Sequence, residues 1–348
     1  MKTTRAGFLG TLAAAGFGVG GVHSETVSPS KPLRVCVFSD LHYCPGTFVN
    51  DTPEFLEKIL ARAEAAKCDM VIHLGDFVHS VRKPETKSFI RKYNDFKIPA
   101  YHILGNHDQD GSSWRETCDA YRMPDGHYSF DRGGFRFVIA DPNYTRNSAT
   151  GKFVHHEHGN YFKCGSDTTI NWIPPEQLEW MRETILKSPY PCIVLSHQSF
   201  ERPPNGSGVM NKDAVQAIFN EANAKRPGSV RLVMNGHMHT DHLRILDDIL
   251  YWDVNSANYQ WFGESHAAYP PEFMKSHRLS DHVIGWKTPL SAILTLTAAG
   301  GIQIDGSASD YLFGVSPQQA GLPVHDVNGR YTLPKIQSTR IVFEYPRI

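Results

Sequence analysis

The sequence predicts an α/β chain, a parallel sheet of strand–helix–strand units extended by antiparallel strands in its second half. Three observations predict it. Between residues 33 and 104, three short apolar runs alternate with two stretches of helical spacing, the pattern of βαβ units. Residues 127–141, HYSFDRGGFRFVIAD, alternate apolar and polar positions around Arg132-Gly133-Gly134, a hairpin pattern. After residue 230, short strand-like runs recur at 242–246, 249–254, 292–297, 301–305 and 340–345.

The elements follow in order. Residues 33–39, LRVCVFS, read as a strand, and 53–66 as a helix with Thr52 as N-cap and Pro53 at its first position. Residues 69–74 and 98–104 are the next strands, with a helix at 83–95 between them. The hairpin follows. Residues 142–172 show no period and are rich in Asn, Gly, His and Tyr, so they are expected to form a long functional loop. Helices are expected at 174–187 and 211–224, and strands at 192–196 and 230–235. Residues 257–288 are irregular and aromatic-rich. With no repeat and no polar linker, a single domain over 31–348 is expected.

Length and composition limit the function classes. The 348 residues, 41% hydrophobic and 20% charged, can bury a sizeable core. Lys+Arg (35) nearly balance Asp+Glu (36), so no basic stripe supports general nucleic-acid binding. The 18 histidines raise the question of a metal site. Residues 1–24 read as an export signal peptide. Lys2 and Arg5 precede an apolar, Gly/Ala-rich stretch, and Val22-His23-Ser24 offers a cut. Periplasmic or secreted localisation follows, by the Sec route or by a degenerate twin-arginine route, because Ala6 stands where the second arginine would be. No later run reaches 18 apolar residues, so no membrane span is expected. Cys36 and Cys192 lie in strand-like runs and read as core residues. Cys44, Cys68, Cys118 and Cys164 leave disulfide pairing open, and no CxxC pair suggests a thiolate metal site.

Five blocks fall where strands end: Asp40-Leu41-His42, Gly75-Asp76, Gly105-Asn106-His107-Asp108, Ser196-His197 and Gly236-His237-Met238-His239. Ligands of open α/β sheets bind outside the carboxyl ends of strands, so all five can meet in one crevice. In an extended segment the two-residue spacing of Asp40 and His42, or of His237 and His239, puts both side chains on one side. Carboxylate, imidazole and amide ligands without thiolate suit Zn, Mn, Fe or Co. Asp76 can bridge two cations about 3.5–4 Å apart, which would hold a hydroxide for in-line attack on phosphorus. His107 can then protonate the leaving alkoxide, oriented by Asp108. A Gly-Asp after a strand is by itself a turn signal, and a lone Ser-His a polar pair. Their joint occurrence in this order selects the metal reading.

With these five blocks the chain resembles the calcineurin-like metallophosphoesterase family, whose pattern is DxH, GD, GNH(D/E), H and GHxH, over residues 33–256. The resemblance implies a metallophosphoesterase fold, a four-layer sandwich of two mixed β-sheets flanked by helices. It implies two divalent metal ions and hydrolysis of a small phosphate ester. Asp40, His42, Asp76 and His239 would hold one ion. Asp76, Asn106, His197 and His237 would hold the second. His107 would touch the scissile phosphate with Asp108 behind it. Purple acid phosphatases carry a tyrosine in a GDxxY block where this chain has His79, so an Fe(III)-tyrosinate site is not expected. His79 reads as a residue behind the ligands or on the surface.

Other residues complete the expectation. His155, His156 and His158 read as a solvated loop. Arg146 and Arg202 are candidates for gripping a phosphate, and Tyr259 and Trp261 for stacking on a substrate. The segments 109–172, 199–210 and 257–288 would choose between phosphomonoesters and phosphodiesters, with a lean to diester or nucleotide-type substrates. Two rivals stand against the hydrolase reading. A non-catalytic scaffold would have lost ligands, and a single-metal oxygen enzyme would leave Asn106 and His197 unexplained.

Overall fold

The first strand, β1 (Leu33–Phe38), shows how the layers arise. Its side chains alternate between two cores: Leu33, Val35 and Val37 join one apolar cluster, Cys36 and Phe38 another. An apolar run on both faces requires a strand covered on both sides. The computed structural model describes residues 31–49, 53–204, 208–326 and 329–344. The export segment and the Thr52 cap lie outside them.

After β1 come α1 (Pro53–Ala65), β2 (Met70–His73), α2 (Pro84–Asn94), β3 (Ala100–His102) and α3 (Trp114–Tyr121). Next are β4 (Tyr128–Arg132), β5 (Phe135–Ile139), β6 (Tyr144–Asn147), β7 (Phe153–His155) and β8 (Thr168–Ile170). Then follow α4 (Pro175–Leu186), β9 (Cys192–Leu195), α5 (Lys212–Lys225), β10 (Val230–Asn235), β11 (His242–Leu246) and β12 (Ile249–Asp253). The chain continues through β13 (Tyr259–Trp261), α6 (Pro271–Ser276), β14 (Val283–Gly285), β15 (Ala292–Leu296), β16 (Gly301–Gly306) and β17 (Thr339–Val342).

Two six-stranded mixed sheets result, ordered β17-β16-β15-β1-β2-β3 and β11-β12-β10-β9-β5-β4. β1, β2 and β3 run parallel, as do β5, β9, β10 and β12. The later strands β15 to β17 pair antiparallel along the far side of β1. Val35, Ile72, Phe137, Leu195, Met234, Trp252 and Trp286 fill the space between the sheets. Helices α1 and α2 cover the first sheet through Leu56, Ile59, Phe89 and Tyr93. Helices α4 and α5 cover the second through Met181, Ile185, Val215 and Phe219. The four-layer sandwich is therefore the observed fold.

The structure departs from the sequence expectation in three places. The aperiodic stretch 142–172 contains a three-stranded sheet, β7-β6-β8, whose strands are too short to show a period. The stretch 257–288 contains the β13–β14 pair and α6. Helix α3 lies in the 109–172 segment ahead of the aperiodic stretch, where no helix was expected. Its signal is the capping box of Ser113 and Glu116, where side chain and backbone amide satisfy each other reciprocally. All six cysteines are free thiols, and Cys36 and Cys192 are buried. Among the described residues no helix is long and apolar enough to cross a membrane.

Candidate metal centre

All five blocks lie just beyond the C-terminal ends of parallel strands: β1, β2, β3, β9 and β10. They converge where the two sheets meet. The backbone there is not extended as the two-residue spacing suggested. Asp40, His42, Asp76, His237 and His239 all have positive φ, between 50° and 64°. Side-chain-bearing residues avoid this left-handed region, and its concentration at one site marks a geometry the fold must impose. Gly75 carries φ 100°, and a Cβ there would lie 2.3 Å from His197 Nδ1. Glycine is required at that position because the imidazole occupies the space.

The side chains form two groups whose ligand atoms lie within 4.8 Å of one another: Asp40, His42 and His239, and Asp76, His197 and His237. Asp76 stands between them. Its Oδ2 is 3.0 Å from His197 Nε2 and 3.6 Å from His42 Nε2. Its Oδ1 accepts the backbone N–H of His107 at 2.8 Å. Asp40 Oδ1 is 3.2 Å from His239 Nε2 and 3.8 Å from both His42 and His197 Nε2.

The donor set can be tested for a metal by asking where the imidazole protons are. His197 Nδ1 is 2.7 Å from the Leu74 carbonyl, and His239 Nδ1 is 2.7 Å from the Tyr259 carbonyl. A carbonyl only accepts, so both Nδ1 atoms carry hydrogen and both neutral rings turn an Nε2 lone pair inward. His42 is fixed by a longer chain. His79 Nδ1 donates to Asp110 Oδ2 (3.0 Å), so His79 Nε2 accepts from His42 Nδ1 (2.9 Å), and His42 Nε2 is left with its lone pair. Burial, which pushes His42 down to about 3 and lowers His79, keeps these rings neutral. The result is lone pairs facing lone pairs. His42 and His239 Nε2 are 3.2 Å apart, and His197 Nε2 sits beside Asp76 Oδ2 outside hydrogen-bond geometry. Cations placed between them would relieve such contacts. Burial opposes a charge on His197, yet Asp76 and Asp40 push its pKa up to about 9, a measure of the negative field a cation would meet. The residues fit two metal ions.

Asn106 completes the ring of donors. Its Nδ2 donates to the Tyr161 hydroxyl at 3.2 Å, which orients the amide and leaves Oδ1 as the atom a cation would take. His237, half-buried, packs its ring 5.0 Å from that of His197.

The partner of His107 corrects the sequence reading. Asp108 does not touch the ring. Its carboxylate accepts backbone N–H groups of Asp76, Phe77, Val78 and Gly105 and the Tyr121 hydroxyl, at 2.6 to 3.0 Å. Burial, and next the Asp76 charge, push this carboxyl up to about 7 against the pull of those donors. Asp108 thus pins the loops that carry Asp76 and Asn106. The carboxylate beside His107 is Asp110, whose Oδ2 accepts from His107 Nδ1 at 2.8 Å. The Tyr161 hydroxyl donates to Asp110 Oδ1 at 2.8 Å. Burial lowers the His107 pKa, but Asp76 and the bonded Asp110 outweigh it and push it up to about 9. Asp110 had a sequence signal, its three-residue spacing from His107. Tyr161 lies in the aperiodic stretch and had none.

The remaining expectations divide. A cleft of about 980 Å³ opens over the metal centre, with Tyr259 and Trp261 in its wall. Tyr259 is buried against His42 and Phe48, with ring centroids 5.2 Å from each, so it backs a ligand rather than presenting a free face. Trp261 is 44% exposed at the rim. Arg202 is a correction. It is 3% exposed, bonded through Nε and Nη2 to Asp253 Oδ2 at 2.8 and 2.6 Å, and is not among the cleft residues. Arg146 lies over the Trp172 ring at 5.2 Å, also away from the cleft. The 199–210 segment contributes no described residue to the lining, whereas Pro323, His325 and Asp326 do. His155 and His156 are buried, not solvated: His155 Nε2 pairs with Asp141 at 2.6 Å, and His156 stacks on Tyr161. His158 alone of the three is exposed.

Comparisons with known proteins identify a family and structural neighbours. A family model described as calcineurin-like phosphoesterase matches residues 33–241. No curated protein matches the sequence. Among solved structures, a dimetal phosphatase from Danio rerio is similar, with 14% identity and a TM-score of 0.54. The alignment covers 79% of this chain and 96% of that one. A purple acid phosphatase from yellow lupin (Lupinus luteus) seeds matches with 15% identity and a TM-score of 0.48, covering 91% of this chain and 55% of that one.

Proposed function

Because the chain belongs to the calcineurin-like phosphoesterase family, we propose that it hydrolyses phosphate esters at a dinuclear metal centre with His107 as proton donor. The observation that carries this is the set of imidazole lone pairs turned toward two buried carboxylates. Asp40, His42 and His239 would hold one ion, Asn106, His197 and His237 the other, and Asp76 both. When bound, such a pair clamps a phosphoryl oxygen, arms a water and offsets the charge of an in-line displacement. The protein's own part is to place the acid. His107 Nδ1 is held by Asp110, so its Nε2 faces the cleft and hands its proton to the departing oxygen.

The substrate we favour is a phosphodiester or nucleotide-type ester. Arg278 is the one basic side chain of Lys or Arg type among the described residues lining the cleft, which also carries Glu264 and Asp326. The metal pair would attract either ester. Beyond it, the described rim offers the second charge of a monoester no Lys or Arg partner besides Arg278, so nothing in the rim selects against a diester. Aromatic walls at Phe48, Trp261 and Phe262 give the organic part a surface. Export by the N-terminal segment is part of the proposal, supported by its sequence pattern, with a mature N-terminus close after Ser24 as the check.

The test is a panel of phosphomonoesters and phosphodiesters assayed with Mn, Zn, Fe and Co. Metal-dependent turnover with at least a tenfold preference for diesters is expected, and a reversed preference overturns the substrate assignment. His107→Ala should keep the metals and lower kcat by roughly 10²–10⁴-fold. Unchanged kcat removes His107 from the mechanism.

A further inference from the structure

From the proposed hydrolase reading, on which it rests, we infer that Phe162 is a specificity-determining platform that stacks on an aromatic leaving group. Phe162 is 65% exposed, a large apolar ring turned to water at the mouth of the cleft. A surface that keeps such a ring uncovered gives up apolar burial. Its place explains why. The ring centroid is 5.8 Å from that of His107. His107 gives its proton to the departing oxygen, so the group attached to that oxygen leaves on this side and passes over Phe162.

The platform is built rather than incidental. Phe162 sits in a short 3-10 turn, Asn160–Lys163, entered through Gly159 at φ 63°. Its neighbour Tyr161 is tied to the cluster around His107. The Tyr161 hydroxyl donates to Asp110 Oδ1 at 2.8 Å and accepts from Asn106 Nδ2 at 3.2 Å. The Tyr161 ring also stacks on buried His156 at 4.8 Å. The bonds that orient Asn106 and Asp110 therefore fix Phe162 beside His107, and the two rings at 161 and 162 pack 4.2 Å apart. A flat ligand ring is the complement of this surface, because every π-face can stack while an alkyl chain offers less area.

Benzyl methyl phosphate and ethyl methyl phosphate separate the effect, since their leaving alcohols differ little in acidity and strongly in stacking area. The quantity read is the ratio of kcat/KM for the benzyl over the ethyl ester, measured on the Mn-loaded protein. In Phe162→Ala the ratio should fall about tenfold, within the range of one lost stacking contact. Phe162→Trp should restore or raise it. Phe162 is largely exposed, so both variants are expected to fold, and their unfolding midpoints confirm it. A ratio that stays within twofold of wild type in Phe162→Ala overturns the inference and leaves the hydrolase reading standing. If the wild type turns over neither ester with any of the four metals but does hydrolyse phosphomonoesters, the diester assignment fails and this inference with it; if it hydrolyses no phosphate ester at all, the hydrolase reading itself fails.

Discussion

Asp110→Asn probes the most economical feature of the site, a single carboxylate oxygen serving two imidazoles. Asp110 Oδ2 accepts from His79 Nδ1 at 3.0 Å and from His107 Nδ1 at 2.8 Å. The first bond sets the His42 tautomer through His79, and the second points the His107 Nε2 at the cleft. An asparagine can offer one oxygen to the two donors, but its amide then faces the Tyr161 hydroxyl. That hydroxyl already receives Asn106 Nδ2 and needs an acceptor for its own proton. Either Tyr161 or the amide must turn away, and both imidazole bonds lose their charge assistance, which roughly doubles the strength of such a bond.

Two effects of different size follow. Weakening the support behind a histidine ligand costs about 10- to 100-fold in metal affinity. Misplacing the proton donor costs roughly 10²–10⁴-fold in kcat even at saturating metal. Metal content after gel filtration at graded free Mn reads the first, and kcat with excess Mn reads the second. His79→Ala should move mainly the first and His107→Ala mainly the second, while Asp110→Asn moves both. If Asp110→Asn keeps wild-type kcat at saturating Mn, or loses kcat with no change in metal affinity, the shared-oxygen account is wrong.

Asp76→Asn should lose both metal content and activity, because one oxygen lies 3.0 and 3.6 Å from imidazoles of the two clusters; two ions retained per chain by elemental analysis would deny the bridging position. Gly75→Ala places a Cβ 2.3 Å from His197 Nδ1 at φ 100°, so a loss of about 2 kcal/mol or more in denaturant unfolding is expected, together with weaker metal binding. His155→Ala strands buried Asp141 and should cost about 3 kcal/mol at neutral pH, measured by urea unfolding. The pH dependence has a definite sign. Burial lowers His155, but Asp141 outweighs it and raises the pKa, while burial raises Asp141 and His155 outweighs that to lower it. The stabilisation from His155 is thus complete below its ordinary value near 6.5 and fades as pH rises through the raised one. That from Asp141 is present above about 3.9 and fades as pH falls through the lowered value. The wild-type advantage over His155→Ala should be largest between about pH 4 and 6.5; an advantage that grows toward alkaline pH would contradict the pairing.

The candidate ligands were readable because each block follows an apolar strand, and parallel strands deliver their ends to one edge. What failed were inferences from adjacency in sequence. Asp108 was expected to serve His107 because it comes next. The turn His107–Gln109 is 3-10, however, and in such a turn residues i and i+3 share a face. Asp110 therefore faces His107, while Asp108 turns inward to four backbone amides. Arg202 failed for the opposite reason. An arginine in a loop near a phosphate site reads as a phosphate grip, but its partner Asp253 is 51 residues further on and buries it.

Backbone strain marks the boundary of what the pattern could say. Gly before Asp76 and before His237 signalled tight turns, yet positive φ falls not only on Gly75 but on the candidate ligands Asp40, His42, Asp76, His237 and His239. No spacing rule distinguishes an extended Asp-X-His from one whose two ends both sit at φ near 50°. The distinction matters chemically. Left-handed residues at strand ends turn their side chains back across the sheet edge, so donors from two sheets can close on one point. The strain must be held by neighbouring bonds: the Asp40 carboxylate accepts the His237 N–H, and the His42 and Asp40 amides donate to the Asp76 and Gly75 carbonyls. Asp40, His42, Asp76 and His237 are therefore each braced by a bond to another block. The centre is a mutual construction of the two sheets, and a chain truncated before β10 would lose the His237 bond to Asp40 as well as His237 and His239.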